Sequence, residues 1–266
     1  MKVAVAQFSA GRDKDANLRS IAGRAGEAAG AGAQVVVFPE AAMRDFGART
    51  DDLASDAEPT DGQFVTELRR LAAHHDLTIV AGMFEAIPGD HRIYNTLVVV
   101  DPQGGLTATY RKRHLYDAFG DKESERMKAG EDDPPLIELH GFSAAVAICY
   151  DIRFPGFIGR LADRGADVLL LPSAWVAGPL KETHWNVLAR ARAIDNTMYV
   201  AAAGQTGSAY CGQSLIVDPL GVVVAGLGEA EGVAVAEISY ERLQHARARL
   251  PLVAQRRPAT EGAPRG

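Results

Sequence analysis

"TLVVVDPQG", Thr96 to Gly104, comes back as "SLIVDPLG", Ser214 to Gly221, with the two Asp-Pro pairs 117 residues apart. In each copy a run of branched aliphatic residues suits a strand, and Asp-Pro-x-Gly suits the tight turn that follows it. Two more echoes keep the same order: "AQVVVFPE" is answered by "ADVLLLPS", and "TIVAGMFE" by "YVAAAGQT". A chain that repeats strand-bearing segments in one order is built of two similar halves. Hairpin turns call for antiparallel pairs and interleaved helical patterns for parallel ones, so each half should hold a mixed sheet.

Outward from that repeat, strands are expected at Val3–Gln7, Gln34–Pro39, Thr78–Met83, Thr96–Val100, Ala144–Cys149, Val168–Pro172, Tyr199–Ala203, Ser214–Val217 and Val233–Glu237. Apolar residues recur at helical spacing around Leu18 to Ala25, Phe64 to Ala72, Phe157 to Ala162 and Trp185 to Ala189. Two sheets, each with its own helical layer outside, stack face to face. The expected fold is therefore α/β, a four-layer α-β-β-α sandwich of two mixed sheets with an internal pseudo-twofold repeat. No linker separates the halves, so residues 1–255 are expected to form one domain. Residues 256–266, "RRPATEGAPRG", are rich in Pro, Gly and charge and read as a C-terminal tail.

Composition limits the function classes. The 266 residues are 47% hydrophobic, ample for a packed core. The apolar runs Val35 to Phe38 and Val168 to Leu171 stop far short of the ~20 residues that span a bilayer, so no membrane segment is expected. The N-terminal "MKVAVAQFSAGRDKDANL" turns polar too early for a signal peptide, and two cysteines suit a reducing compartment, so the cytoplasm is the expected location. A net charge of -6 argues against a nucleic-acid partner. The seven histidines show no HExxH spacing and the cysteines no CxxC, so no metal site is expected.

In α/β architectures ligand sites gather beyond the carboxyl ends of strands. Glu40 ends "VVVFPE", Lys112 lies in "ATYRKRH" shortly after a strand pair, and Cys149 ends "AAVAIC". A free thiol is mostly protonated at neutral pH, so a nucleophilic one needs a base, a cation or a helix N-terminus beside it. Glu40 can supply the base and Lys112 the cation. A helix expected to start near Pro155 would add backbone N–H groups close to Cys149.

Glu40 in "VVFPE", Lys112 in "YRKRHL" and Cys149 in "ICYDIRFP" together resemble the Glu-Lys-Cys triad of the nitrilase superfamily of carbon-nitrogen hydrolases. The likeness extends over essentially the whole chain through "VAVAQ", "GADVLLLPSAW", "ARARAIDN", "YCGQSLIVDPLG" and "RLPLVAQRR", and is greatest to the Nit-type branch that includes ω-amidase and deaminated-glutathione amidase.

The resemblance implies that Cys149 is the nucleophile, Glu40 the general base and Lys112 the cation that stabilises a tetrahedral intermediate. A further glutamate that positions the lysine matches Glu123, with Glu125 its near competitor. The implied activity is hydrolysis of a small aliphatic carboxamide to carboxylate and ammonia through a thioester, with no cofactor. Nitrile hydrolysis, N-carbamoyl cleavage and acyl transfer are alternatives on the same triad. The Tyr150 backbone N–H would help hold the oxyanion. Trp175 falls where the family has a pocket aromatic, Tyr116 and Phe119 would form another wall, and Arg153 suits a substrate carboxylate.

Asp151 and Arg153 are also placed to pair with each other and hold the turn. His114 reads as structural and Cys211 as a buried thiol. Gly156 stands where many relatives carry Glu. A homo-oligomer, a dimer or larger, is expected, with Leu250, Leu252 and Val253 suited to the contact.

Overall fold

A computed structural model of the chain describes residues 1–256. In chain order its first half runs β1 (Lys2–Gln7), α1 (Lys14–Gly30), β2 (Val35–Val37), α2 (Gln63–His75), β3 (Thr78–Ala86), β4 (Ile93–Val100) and β5 (Leu106–Arg111). The second half runs β6 (Ile137–Leu139), β7 (Phe142–Val146), α3 (Pro155–Asp163), β8 (Val168–Ser173), α4 (Lys181–Asn196), β9 (Tyr199–Gly204), β10 (Leu215–Val217) and β11 (Val223–Gly226). Strand β12 (Gly232–Glu237) and helices α5 (Tyr240–Arg249) and α6 (Leu252–Gln255) follow. Of the tail expected over residues 256–266, all beyond Arg256 lies outside the described residues.

Two six-stranded sheets result, in the orders β12-β1-β2-β3-β4-β5 and β11-β10-β9-β8-β7-β6. In the first, β1, β2 and β3 are parallel and β4 and β5 antiparallel; in the second, β7, β8 and β9 are parallel and β10 and β11 antiparallel. The two Asp-Pro turns match down to single hydrogen bonds. Asp101 Oδ1 accepts from the N–H groups of Gln103 and Gly105, and Asp218 Oδ1 from those of Leu220 and Val222. Gly104 and Gly221 close the turns at φ of 78° and 81°, where a side chain is strained.

Alternation along the first sheet shows the layering. Val3, Val5, Val35, Val37, Val80, Leu97 and Val99 pack toward the second sheet, while Ala4, Ala6, Val36, Ile79, Val98 and Val100 share a core with residues of α1 and α2. Strands covered on both faces read as continuous apolar runs, which is why short sequence windows located them. Each fully buried valine contributes about 1.5–3 kcal/mol relative to an exposed one. Helices α3 and α4 lie outside the second sheet, their Phe157, Ile158, Trp185 and Ala189 in its core. The order of layers is thus helix, sheet, sheet, helix.

Sequence reading missed β5, β6, β11, α5 and α6. In β5 and β11 the burial pattern is mostly exposed or half-buried, so an apolar run has no reason to form there. It also carried the strand before Cys149 too far. Strand β7 ends at Val146, and Cys149 opens a 3-10 turn through Arg153. Val253 packs against the core of its own chain, and Arg256 donates to Asp163 Oδ1 and to Asn196 Oδ1, both at 2.7 Å, clamping α3 to α4.

Candidate active site

Three strand exits converge between the sheets. Glu40 follows β2, Lys112 directly follows β5, and Cys149 follows β7. The chain turns sharply at two of these exits: Ala41 has φ of 53° and Cys149 of 43°, a left-handed conformation that costs a side-chain-bearing residue about 1–2 kcal/mol. Such turns let a side chain leave the sheet edge and face the opposite half. Glycine is needed at one neighbouring point: a Cβ on Gly82 of β3 would lie 2.7 Å from Glu40 Cα.

The polar centre is a closed network. Lys112 Nζ donates to Glu40 Oε1 at 2.8 Å and to Glu123 Oε2 at 2.9 Å. Asn95 Nδ2 bridges the same two carboxyls, to Glu40 Oε1 at 2.7 Å and to Glu123 Oε1 at 3.0 Å. Glu40 Oε2 accepts the Ala174 N–H at 2.7 Å, and Glu123 Oε2 the Tyr116 N–H at 2.6 Å. Lys112 is 2% exposed and Glu40 1%, so neither charge has water to replace its partners. Glu125 faces solvent beside Lys122, so the structure brings Glu123 and not Glu125 to the lysine.

The electrostatics follow from this enclosure. Burial alone would lower the pKa of Lys112, but Glu123 and Glu40 overrule it and hold the ammonium well above its ordinary range. Burial first and Glu40 second push the Cys149 thiol well above its ordinary pKa, against the pull of Lys112. Cys149 is therefore a thiol at rest. A free thiolate beside Glu40 is disfavoured.

Asp151 corrects one expectation. It pairs not with Arg153 but with His114, whose Nδ1 lies 2.7 Å from Asp151 Oδ1, and it accepts the Tyr110 hydroxyl at 2.9 Å and the Ile148 N–H at 2.9 Å. A carboxylate so deeply buried takes the donors that surround it, here largely from β5 and the segment that follows it. His114 also stacks on Phe154 with ring centroids 3.7 Å apart, a supporting position behind the Cys149 turn.

Arg153 lines the cleft, with its Nη2 3.4 Å from His184 Nδ1. Its guanidinium lies 4.5 Å from the Trp175 ring centroid, and its Nε is buried without a partner among the described residues. The cleft, about 380 Å³, is lined by Glu40, Lys112, Glu123 and Cys149 at its base and by Tyr116, Tyr150, Arg153 and Trp175 on its walls. Phe119 is 71% exposed near the mouth. A Cβ on Gly156 would meet open space. Cys211 is buried elsewhere in the core, its pKa pushed up to about 12 by burial.

Sequence reasoning missed Asn95, Gln205 and Lys181. Asn95 had a signal, a polar side chain in the otherwise apolar strand "IYNTLVVV". Gln205 had none. Its Nε2 donates to the carbonyls of Glu40 and Ala41 at 2.9 and 3.1 Å, and its Oε1 accepts the Ala10 N–H at 2.9 Å, ties between halves that no local pattern encodes.

Comparison with known proteins gives this geometry a context. The model of the carbon-nitrogen hydrolase family matches residues 2–248. A deaminated glutathione amidase of Escherichia coli O157:H7 is 38% identical over 258 residues, covering 97% of each chain. The crystal structure of Nit3 from Saccharomyces cerevisiae, a member of branch 10 of the nitrilase superfamily, superimposes with a TM-score of 0.85 at 31% identity, covering 95% of this chain and 94% of that one. An amidase from Nesterenkonia, solved as a mutant after Michael addition of acrylamide at its active-site cysteine, superimposes with a TM-score of 0.81 at 28% identity over 94% of this chain and 98% of its own.

Proposed function

The chain belongs to the carbon-nitrogen hydrolase family, whose members act on C–N bonds other than peptide bonds, and we propose that it is a thiol-dependent amidase for small aliphatic carboxamides bearing a distal carboxylate. The observation that carries this reading is the buried Glu40–Lys112–Glu123 network facing Cys149 at the base of the cleft.

Cys149 Sγ attacks the carboxamide carbon as Glu40 takes the thiol proton. Lys112 and the Tyr150 backbone N–H stabilise the oxyanion. Glu40 then passes its proton to the nitrogen, the C–N bond breaks, and ammonia leaves a thioester on Cys149. Water adds to the thioester while Glu40 removes its proton. The carboxylic acid departs as the C–S bond breaks and the thiol regains its proton. Glu123 and Asn95 hold Lys112 and Glu40 in register through both half-reactions. The thiol's raised pKa supports coupled proton removal over a standing thiolate.

Arg153 receives the distal carboxylate, since guanidinium geometry suits two carboxylate oxygens and this guanidinium has no acidic partner among the described residues. Apolar exposed side chains support the homo-oligomer: Val187 and Ile194 lie one heptad apart on α4, and Leu220 follows in the adjoining turn. A second copy of the chain would cover them, and sedimentation of Val187→Glu against wild type tests it. Among the described residues no helix is long and apolar enough to cross a membrane.

The deciding experiment measures ammonia release from glutaramate and butyramide by wild type and by Cys149→Ala. Release by wild type alone establishes the amidase, and a higher KM for glutaramate in Arg153→Lys establishes the carboxylate contact. Release from neither amide by wild type overturns the reading.

A further inference from the structure

A second cation faces the cleft without an ion-pair partner among the described residues, Asp121 at the mouth being held by Arg49. Lys181, the first residue of α4, is 8% exposed, and its Nζ donates to the Tyr116 hydroxyl at 2.9 Å. The ammonium also lies 3.4 Å from the Phe119 ring centroid. Among the described residues neither Lys181 nor Arg153 forms an ion pair with a carboxylate, whereas Arg49 at the same mouth is paired with Asp121 at 3.1 Å.

Trp175 ties the two cations together. Its ring lies under Arg153, and its Nε1 donates to the Lys181 carbonyl at 2.8 Å. Burial first and Arg153 second lower the pKa of Lys181. Two like charges on one wall of a cleft are unfavourable while it holds no anion, and become favourable when an anion binds between them. Because Lys181 donates to the Tyr116 oxygen, the Tyr116 hydroxyl proton remains to be donated elsewhere.

We propose that Lys181 is the second arm of a carboxylate-binding subsite in which Arg153, Lys181 and the Tyr116 hydroxyl enclose one carboxylate. Arg153 takes the two oxygens from the side of its planar fork, and Lys181 and Tyr116 close the opposite side. The assignment of that carboxylate to the far end of an amide rests on the amidase reading; the anion site itself stands on the cation geometry.

The test separates the two. Glutarate, which cannot be hydrolysed as an amide, is titrated calorimetrically into wild type, Lys181→Met and Lys181→Gln, with thermal melting as the check on folding. Loss of a charge-assisted contact should weaken glutarate by about tenfold or more in both variants. The ratio of KM for glutaramate to KM for butyramide should rise by a similar factor. Glutarate binding equal to that of wild type, in either folded variant, overturns the proposal, as does an unchanged KM ratio. If wild type releases ammonia from neither amide while glutarate still depends on Lys181, the amidase reading fails and the subsite stands.

Discussion

The two halves share one scaffold and carry different chemistry. In both, two strands followed by helices lead to a third parallel strand and an Asp-Pro hairpin. The exit of β2 bears Glu40, joined to Lys112, Asn95 and the Ala174 N–H. The corresponding exit of β8 bears Ser173, equally buried, whose Oγ has no partner among the described residues. In the proposed mechanism the first half supplies the base and the cation, and the second supplies the thiol. The difference teaches that the repeat provides rigid strand ends facing each other, and that single residues at those ends decide where the reaction is placed.

The sharpest way to break this comparison is to mutate the paired positions. Glu40→Gln should lower kcat for amide hydrolysis by about a hundredfold to ten-thousandfold, the usual contribution of a general base. Ser173→Ala should keep kcat within about threefold and should not lower the melting temperature, because the hydroxyl removed makes no hydrogen bond in the structure. A comparable loss in both would show that the halves are loaded alike.

Stability offers the next test. Gln205 ties the second half to Glu40 and Ala41, and Gln7 ties the first half to Gly228 and Ala230 at 2.8 and 2.7 Å. Gln205→Leu strands buried carbonyls and should cost about 3 kcal/mol in urea unfolding, in a single transition. Two separated transitions in wild type would mean that the halves unfold independently. That would also sink the expectation that residues 1–255 behave as one domain.

Asn95 sharpens the comparison within the first half. As a positioning residue it bridges two carboxyls that otherwise share only Lys112. Asn95→Leu should lower kcat by about tenfold to a hundredfold and displace the pH profile of kcat, with KM little changed. A change confined to KM would contradict that role.

The smallest effect is alkaline. Burial pushes the native pKa of Cys211 up to about 12, above the ordinary thiol range, and Cys149 is raised as well. Raised groups contribute stability that is complete below the unfolded pKa and is lost as pH rises toward the folded one. Between pH 8 and pH 10 the unfolded chain releases a Cys211 proton that the native chain keeps. Unfolding free energy should therefore fall by about 1 kcal/mol at pH 10 from Cys211 alone, and Cys211→Ala should flatten that slope.

The sequence by itself determined the two-half plan, the mixed sheets and the strands that lead to Glu40 and Cys149, because β-branched runs, helical spacing and Asp-Pro-x-Gly turns act through neighbours in the chain. It also singled out Glu40, Lys112 and Cys149 and narrowed the fourth acid to Glu123 or Glu125, while the strand that delivers Lys112, β5, came only from the structure. Only the tertiary structure chose Glu123, whose carboxyl meets Lys112 while Glu125 faces water. It likewise gave Asp151 to His114 rather than Arg153, and brought Asn95, Gln205 and Lys181 to the site. Which donors a buried carboxylate finds depends on distances set by how two sheets pack, and those distances join residues far apart in the chain.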